Sequence, residues 1–339
     1  SPAAAEHAIS VGAVADWSGS VADPNHSSGV YLAPFSSRGP TRAPSSLTKP
    51  DIVGPGVTVT SAYTAGPSAY ATASGTSMAA PFVAGTVALM LDADPSLTSA
   101  DVKALLETTA HDRGPAGKDN NWGWGLIDGH ALVAEASGDA SYSPTVFPPN
   151  TFITGSVESG GVWSHSFTLG ENDLDTPIAA TIILDGTAVC ASGAPVFCDL
   201  LGWDWEPDLE AQLLDPDLTV LELSECPARG DCGSRELPVR ATGHQETLHV
   251  MPTTAGDYTI QVFPEDIPGA SGGSFTMELS AGSSSCASRS GSQSQPPYRS
   301  QMLGTPIQQT AAPSRMIVAA MGVSRSLSPS VNEWLHTPP

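Results

Sequence analysis

The chain has 339 residues, and 40% of them are hydrophobic, which is enough for two domains with buried cores and a tail. Its formal net charge is −22. A chain of this charge is repelled by phosphate backbones and by anionic lipid surfaces, so we expect neither nucleic acids nor membranes as partners. We find no apolar run of the roughly 18 residues that a membrane-spanning helix needs.

Charge and composition divide the sequence into three parts. Residues 1–136 carry a net charge of −6, residues 137–281 carry −19, and residues 282–339 carry +3. We predict a domain over 1–136, a linker over 137–149, an acidic domain over 150–281 and a tail over 282–339. The tail is rich in Ser, Pro and Gln and has no sustained period, so disorder is the first interpretation and an artefactual, frame-shifted end the second.

The first domain has the mixed pattern of an α/β fold, with short apolar runs for strands and apolar residues at helical spacing. In chain order we predict a strand over Ala8–Val14 and a turn at residues 54–56 followed by a strand to Ala62. Three helices follow: one over Ser77–Asp92, one capped by Ser99, and one over Leu126–Ala136 with Asp128 near its start. The apolar face of the first helix is predicted to hold Met78, Phe82, Val83, Val87 and Met90, with Phe82 against the sheet.

The acidic domain changes to the period of two that is typical of strands. The alternating or apolar stretches are Trp163–Leu169, Thr181–Leu184, Leu209–Leu213, Tyr258–Val262 and Phe275–Leu279, with turn signals at residues 185–186 and 215–217. Many short strands with turns between them indicate an all-β sandwich.

The cysteines are confined to the second half of the chain. They are Cys190, Cys198, Cys226, Cys232 and Cys286. The first four form two close pairs, which favours short-loop disulfides in an exported, extracellular protein. Zinc is the alternative, but the pairs lack the usual ligand spacing and an adjacent His.

The string GTSMAAP, residues 75–81, stands directly before the first predicted helix. Ser77 therefore lies at a helix N-terminus, where free backbone N–H groups carry the positive end of the dipole. A hydroxyl there can attack a carbonyl, and its own N–H can hold the oxyanion that forms. Gly75 lets a substrate backbone approach, and Pro81 falls where the loss of an N–H costs little. The alternative is a plain N-cap serine, but a chance match to the whole string is on the order of one in a million.

This string followed by FVAG resembles the nucleophile segment of the subtilisin-like serine peptidases. Further segments match that family in the same order: SPAAAEHAISVGAVA at 1–15, FSSRGP at 35–40, KPDIVGPGVTVTSA at 49–62 and WGWGLIDGHALVAEA at 122–136. The resemblance implies the C-terminal part of a layered α/β peptidase domain. It also implies that Ser77 is the nucleophile that forms an acyl-enzyme with a peptide substrate.

The family's Asp and His segments, D-[ST]-G and H-G-[TS], do not occur in the sequence. The nearest candidate is His26 in PNHSSG, for which a surface loop is the preferred interpretation. Without the His, kcat falls on the order of a millionfold. We therefore expect the chain to be a fragment that is inactive by itself, with an incomplete sheet that leaves an unpaired edge and bare apolar surface. The alternative is a secreted accessory or binding protein with a degenerate peptidase segment; a purely structural sandwich would leave the string unexplained.

The acidic domain resembles the pre-peptidase C-terminal type of β-sandwich, with the proprotein-convertase type as the alternative. Five acidic residues surround one predicted strand and its turn: Asp204, Glu206, Asp208, Asp215 and Asp217. Calcium suits such oxygen ligands, but a solvated acidic surface is the preferred interpretation, and we expect no other cofactor. Trp163, Trp203 and Trp205 fit core packing better than a binding surface.

Overall fold

The computed structural model describes residues 2–15, 29–42, 46–139, 141–142, 147–185, 187–190, 203–206, 209–224, 245–264, 272–282 and 318–320. Three helices are present there: α1 (Thr76–Ala93), α2 (Ser99–Thr109) and α3 (Gly129–Ser137). The strands are β1 (Ile9–Val14), β2 (Ile52–Pro55), β3 (Val59–Ala62), β4 (Tyr70–Ala73), β5 (Asn150–Val157), β6 (Trp163–Leu169), β7 (Ile178–Asp185), β8 (Thr187–Cys190), β9 (Trp203–Glu206), β10 (Leu209–Leu214), β11 (Val220–Leu223), β12 (Gln245–Val250), β13 (Gly256–Pro264), β14 (Gly273–Ser280) and β15 (Val318–Ala320).

A parallel sheet of order β15-β1-β2 forms the centre of the first part of the chain, which we call the α/β unit. β1 is buried along its whole length, as its continuous apolar sequence predicts for a strand covered on both faces. Val11 and Ala13 belong to the apolar cluster that includes Val83 and Val87 of α1. α1 therefore covers one face of the sheet.

The edge of β1 differs from the prediction. Instead of being unpaired, it pairs in parallel with β15, which lies in the tail that we expected to be disordered. Backbone hydrogen bonding to an open strand edge is a sufficient physical reason for three residues to become extended. The rest of the tail beyond Gly282 lies outside the described residues.

Helix α1 has 18 residues, and its buried side follows the predicted period through Ala79, Val83, Val87 and Met90. Phe82 was predicted wrongly. Its side chain is 47% exposed, because a helix turns by about 100° per residue and Val83 already occupies the sheet-facing position.

Leu89 is 60% exposed on the same helix, so α1 presents apolar surface on its outer side. By length and composition, α1 could cross a membrane, contrary to our reading of the sequence, although its inner side packs on β1, β2 and α3. The expectation of no membrane partner stays a prediction.

Caps shift the predicted ends of the other two helices. Thr98, not Ser99, caps α2, in a capping box where Thr98 and Asp101 bond each other's backbone N–H. α3 begins after Asp128, whose carboxylate accepts the N–H of Ala131. Leu126 precedes the helix because its backbone pairs with His111 and Val53.

The second part of the chain, which we call the two-sheet unit, contains two antiparallel four-stranded sheets. Their orders are β11-β10-β13-β6 and β12-β7-β14-β5. Each predicted stretch lies in one of these strands, and both sheets contribute to one apolar core that includes Leu213, Tyr258, Ile260, Phe275 and Met277. The alternating sequence of β10 and β13 thus buries one side of each of these two strands.

The predicted disulfides stay predictions. Cys198, Cys226, Cys232 and Cys286 lie outside the described residues, and of Cys190 only the strand backbone is described.

Candidate active site

Ser77 lies at the carboxyl edge of the parallel sheet, where the loops after the strands meet. β2 ends at Pro55, and the next residue, Gly56, donates its N–H to the carbonyl oxygen of Val14 at 2.9 Å. The carbonyl oxygen of Gly56 accepts the N–H of Gly75 at 2.7 Å. The backbone before Ser77 is therefore fixed to the ends of both strands.

The hydroxyl of Ser77 is presented to solvent from the first turn of α1. Gly75 is the N-cap residue and has no side chain to cap the helix, while its carbonyl oxygen accepts the N–H groups of Met78 and Ala79 at 2.9 and 3.3 Å. Ser77 itself is exposed, and its N–H belongs to the turn that has no intrahelical acceptor. An incoming oxyanion would meet both this N–H and the positive end of the helix dipole.

No described histidine is bonded to this hydroxyl. The described histidines are His7, His111, His130, His165 and His249. His111 and His249 form ion pairs with other residues, and no hydrogen bond joins any of the five histidines to Ser77. His26, the candidate from PNHSSG, lies outside the described residues.

Within the described part of the chain, a His–Asp pair lies at the N-terminus of α3. His111 Nε2 lies 3.4 Å from Asp128 Oδ2, and the His111 ring packs against Phe147 with 3.8 Å between centroids. The Asp128 carboxylate also accepts from the Ala131 N–H and, at 3.2 Å, from the Tyr142 hydroxyl. This pair secures the end of a helix and is not bonded to Ser77.

A cluster that we did not predict joins all three lysines of the chain at Asp51, directly before β2. Lys49 Nζ lies 2.6 Å and Lys118 Nζ 2.7 Å from this carboxylate, and Lys103 Nζ lies 3.7 Å away. Ser10 donates its N–H and its hydroxyl to Asp51 Oδ2. Burial raises the pKa of Asp51, but the hydrogen bonds from Lys118, Lys49 and Ser10 outweigh it and lower this pKa overall.

Asp119 lies in the loop between α2 and α3 and has a shifted pKa. Burial raises the pKa of its carboxyl to about 6, against the hydrogen bonds from the N–H groups of Trp122 and Asn121. The negative charges of Asp112 and Glu278 add to the increase. Ionising Asp119 therefore opposes folding near neutral pH.

The five acidic residues considered as calcium ligands are described only in part. Among the described residues, no group of three His, Cys, Asp or Glu is placed to hold a metal ion. Asp215 Oδ1 instead accepts the N–H groups of Asp217 and Thr219 and so fixes the turn after β10. Asp208 lies outside the described residues, and the side chains of Asp204 and Glu206 are not described.

Trp163 packs as the core interpretation predicts. Its ring meets the Phe275 ring edge-on, with 5.0 Å between centroids, at the border of the core of the two-sheet unit. The side chains of Trp203 and Trp205 are not described.

The first third of the chain has known relatives. Residues 1–125 match the subtilase family, Peptidase_S8. The chain is 41% identical over 91 residues to the subtilisin-like protease SBT3.2 of Arabidopsis thaliana, covering 26% of this chain and 12% of that protein. It is 44% identical over 59 residues to an extracellular serine protease of Serratia marcescens, covering 17% of this chain and 6% of that protein. The α/β unit is thus similar to subtilisin-like serine proteases.

These matches cover small parts of the relatives. The chain spans between 6% and 13% of the length of the curated proteins that it matches. Among solved structures, fervidolysin from Fervidobacterium pennivorans, a keratinolytic enzyme related to subtilisin, aligns over 81% of this chain and 51% of its own, at 15% identity and a TM-score of 0.31. That score is too low to establish a common fold.

Proposed function

We propose that the chain carries the nucleophile of a serine endopeptidase of the subtilisin type, and that Ser77 is this nucleophile. The observation that carries the proposal is the exposed Ser77 hydroxyl in the uncapped first turn of α1, within a segment that matches the subtilase family. In the reaction, Ser77 Oγ bonds to the peptide carbonyl carbon and gives its proton to a base. The C–N bond then breaks, the amine leaves with that proton, and water hydrolyses the acyl-enzyme.

The proposed reaction requires a base that takes the proton of the Ser77 hydroxyl. An alcohol is a weak nucleophile near neutral pH unless a neighbouring group takes its proton. The sequence contains neither D-[ST]-G nor H-G-[TS], and no described histidine is bonded to Ser77. We propose that the Asp, the His and most of the substrate-binding wall belong to polypeptide outside these 339 residues, and that the chain alone is inactive.

The two-sheet unit supports a second part of the proposal. Its two antiparallel sheets with a shared core suit a β-sandwich of the pre-peptidase C-terminal type, placed after a linker over 137–149. The cysteine pairs and the relative named as an extracellular protease favour a secreted protein with polypeptide substrates.

The test begins with the coding sequence upstream of Ser1. We expect an open frame that encodes D-[ST]-G followed by H-G-[TS], and we expect the joined protein to cleave a protein substrate such as casein. The Ser77→Ala variant of the joined protein should lose this activity, whereas Ser96→Ala, a serine in the loop before α2, should retain it. An upstream frame without the two motifs, or activity that survives Ser77→Ala, would refute the proposal.

The lack of a bond between Ser77 and any described histidine also fits a second function, a secreted accessory protein with a degenerate peptidase segment. A start codon and signal peptide directly before Ser1 would favour this function. The two candidates are thus separated by the same upstream sequence.

A further inference from the structure

The α/β unit and the two-sheet unit share a contact surface built on the segment of residues 29–33. On one side this segment is bonded to β1, because Ala15 donates its N–H to Tyr31 and Ala33 donates its N–H to Ala13, each at 2.9 Å. On the other side, Leu32 of this segment meets the two-sheet unit.

Both backbone groups of Leu32 bond to side chains of the two-sheet unit. The Leu32 N–H donates to Thr181 Oγ1 of β7 at 2.9 Å, and the Leu32 carbonyl oxygen accepts from Gln245 Nε2 of β12 at 2.7 Å. Gln245 is 8% exposed and Thr181 is 1% exposed. These buried side chains therefore replace the strand partner that segment 29–33 lacks on that side.

Apolar packing continues the contact. Ile183 of β7 belongs to a cluster with residues of the α/β unit, namely Val14, Val30, Leu32, Val53, Trp122 and Leu126. Its two neighbours in β7, Ile182 and Leu184, face the opposite way and lie in the core of the two-sheet unit. β7 is thus buried on both faces, which explains why its sequence is mostly apolar rather than alternating.

A buried ion pair joins the two units at a second point. Arg113 Nη1 lies 3.5 Å from Glu278 Oε1 of β14, and both side chains are almost fully buried. Glu278 Oε2 also accepts the N–H of Gly114 at 3.0 Å, and Arg113 Nη2 donates to the carbonyl oxygen of Pro148 at 3.2 Å. Removing either partner would leave the other as a buried charge without a counter-charge, so substitution of Glu278 or Arg113 should weaken this contact.

Packing contacts and backbone hydrogen bonds connect the contact surface to the loop that precedes Ser77. Ala179 of β7 packs with Ala15 and Tyr31, and Val57 packs against this group. Val57 follows Gly56, whose carbonyl oxygen holds the N–H of Gly75 two residues before Ser77. On the second face of the central sheet, Val14 and Val53 pack in one cluster with Leu32 of segment 29–33 and Ile183 of the two-sheet unit.

We infer that the two-sheet unit is a structural part of the Ser77 scaffold, which it supports through segment 29–33, and is not a module tethered beside the α/β unit. This role concerns the fold around Ser77 and holds whether or not Ser77 forms an acyl-enzyme. It assigns a partner surface to β7, β12 and β14: the sheet of the α/β unit.

The test is amide hydrogen exchange on the full chain with the variants Glu278→Ala and Gln245→Met. We expect exchange in segment 29–33 and at Gly56 and Gly75 to increase at least tenfold in Glu278→Ala, and in the same direction but less in Gln245→Met. Gln245→Met keeps the side-chain volume and changes no charge, so its exchange rates test the inference even if Glu278→Ala does not fold.

Two matched controls lie in the other sheet of the two-sheet unit. Asp257→Asn alters an exposed carboxylate of β13, and Gln212→Met removes a side-chain bond to Gln261. Neither should change exchange in segment 29–33 or at Gly75. If Gln245→Met raises exchange only within β12 and β7 and leaves segment 29–33 and Gly75 as in the wild type, the inference is overturned.

Discussion

Replacing Asp51 by Asn should destabilise the α/β unit strongly. The change removes the negative charge that Lys49 Nζ contacts at 2.6 Å, and the Lys49 side chain is only 3% exposed. Its ammonium would keep the carbonyl oxygen of Ala8 as an acceptor but would be a buried charge without a counter-ion. Breaking a buried pair in this way costs about 3–5 kcal/mol, a large share of the stability of an ordinary domain. Lys103 and Lys118 are 26% and 21% exposed, so water can stabilise their charges and they add little.

Urea denaturation monitored by tryptophan fluorescence measures this loss, because Trp122 is buried in the same unit. The double variant Asp51→Asn with Lys49→Met is the control, since it removes both charges and fills the space with an apolar chain. It should recover at least half of the lost free energy of unfolding. A loss below about 1 kcal/mol for Asp51→Asn, or a double variant no more stable than the single one, would refute the reasoning.

Two further changes test other parts of the structure. Asp119→Asn should make the chain about 1–2 kcal/mol more stable at pH 7.5. In the folded chain the pKa of the Asp119 carboxyl is about 6, above its ordinary value, so ionisation of this carboxyl costs stability as the pH rises from about 4 to 6. Thermal unfolding between pH 4 and 8 should show that part of the pH dependence disappear in the variant, and an unchanged profile would contradict the shift. Phe82→Gln should change the free energy of unfolding by less than about 1 kcal/mol, since the ring is 47% exposed. Val83→Ala, on the buried face of the same helix, should lower the free energy of unfolding more. A loss for Phe82→Gln as large as that for Val83→Ala would show that the Phe82 ring is covered.

Local patterns predicted much of the fold. The period of two marked β6 and β13, because each of these strands buries one face more than the other, and GTSMAAP placed Ser77 at the start of a helix. The same patterns predicted the ends of the helices less well. Thr98 and Ser99 are both good capping residues, and only the position of Asp101 three residues after Thr98 selects the first.

Contacts between distant residues were not predictable from these patterns. Asp51 meets Lys118, and Arg113 meets Glu278, only after the chain has folded. The same holds for Leu32, whose backbone partners Thr181 and Gln245 are far along the sequence. Period and composition mark a residue as buried or exposed, but they do not name its partner.

The most direct test of Ser77 as a nucleophile that lacks its base is covalent labelling by a fluorophosphonate, followed by mass spectrometry of the peptide that contains Ser77. We predict that the 339-residue chain reacts there no faster than a urea-unfolded sample, and that the same chain joined to its upstream coding sequence reacts rapidly and only at Ser77. Rapid labelling of the 339-residue chain, or no labelling of Ser77 in the joined protein, would contradict this function.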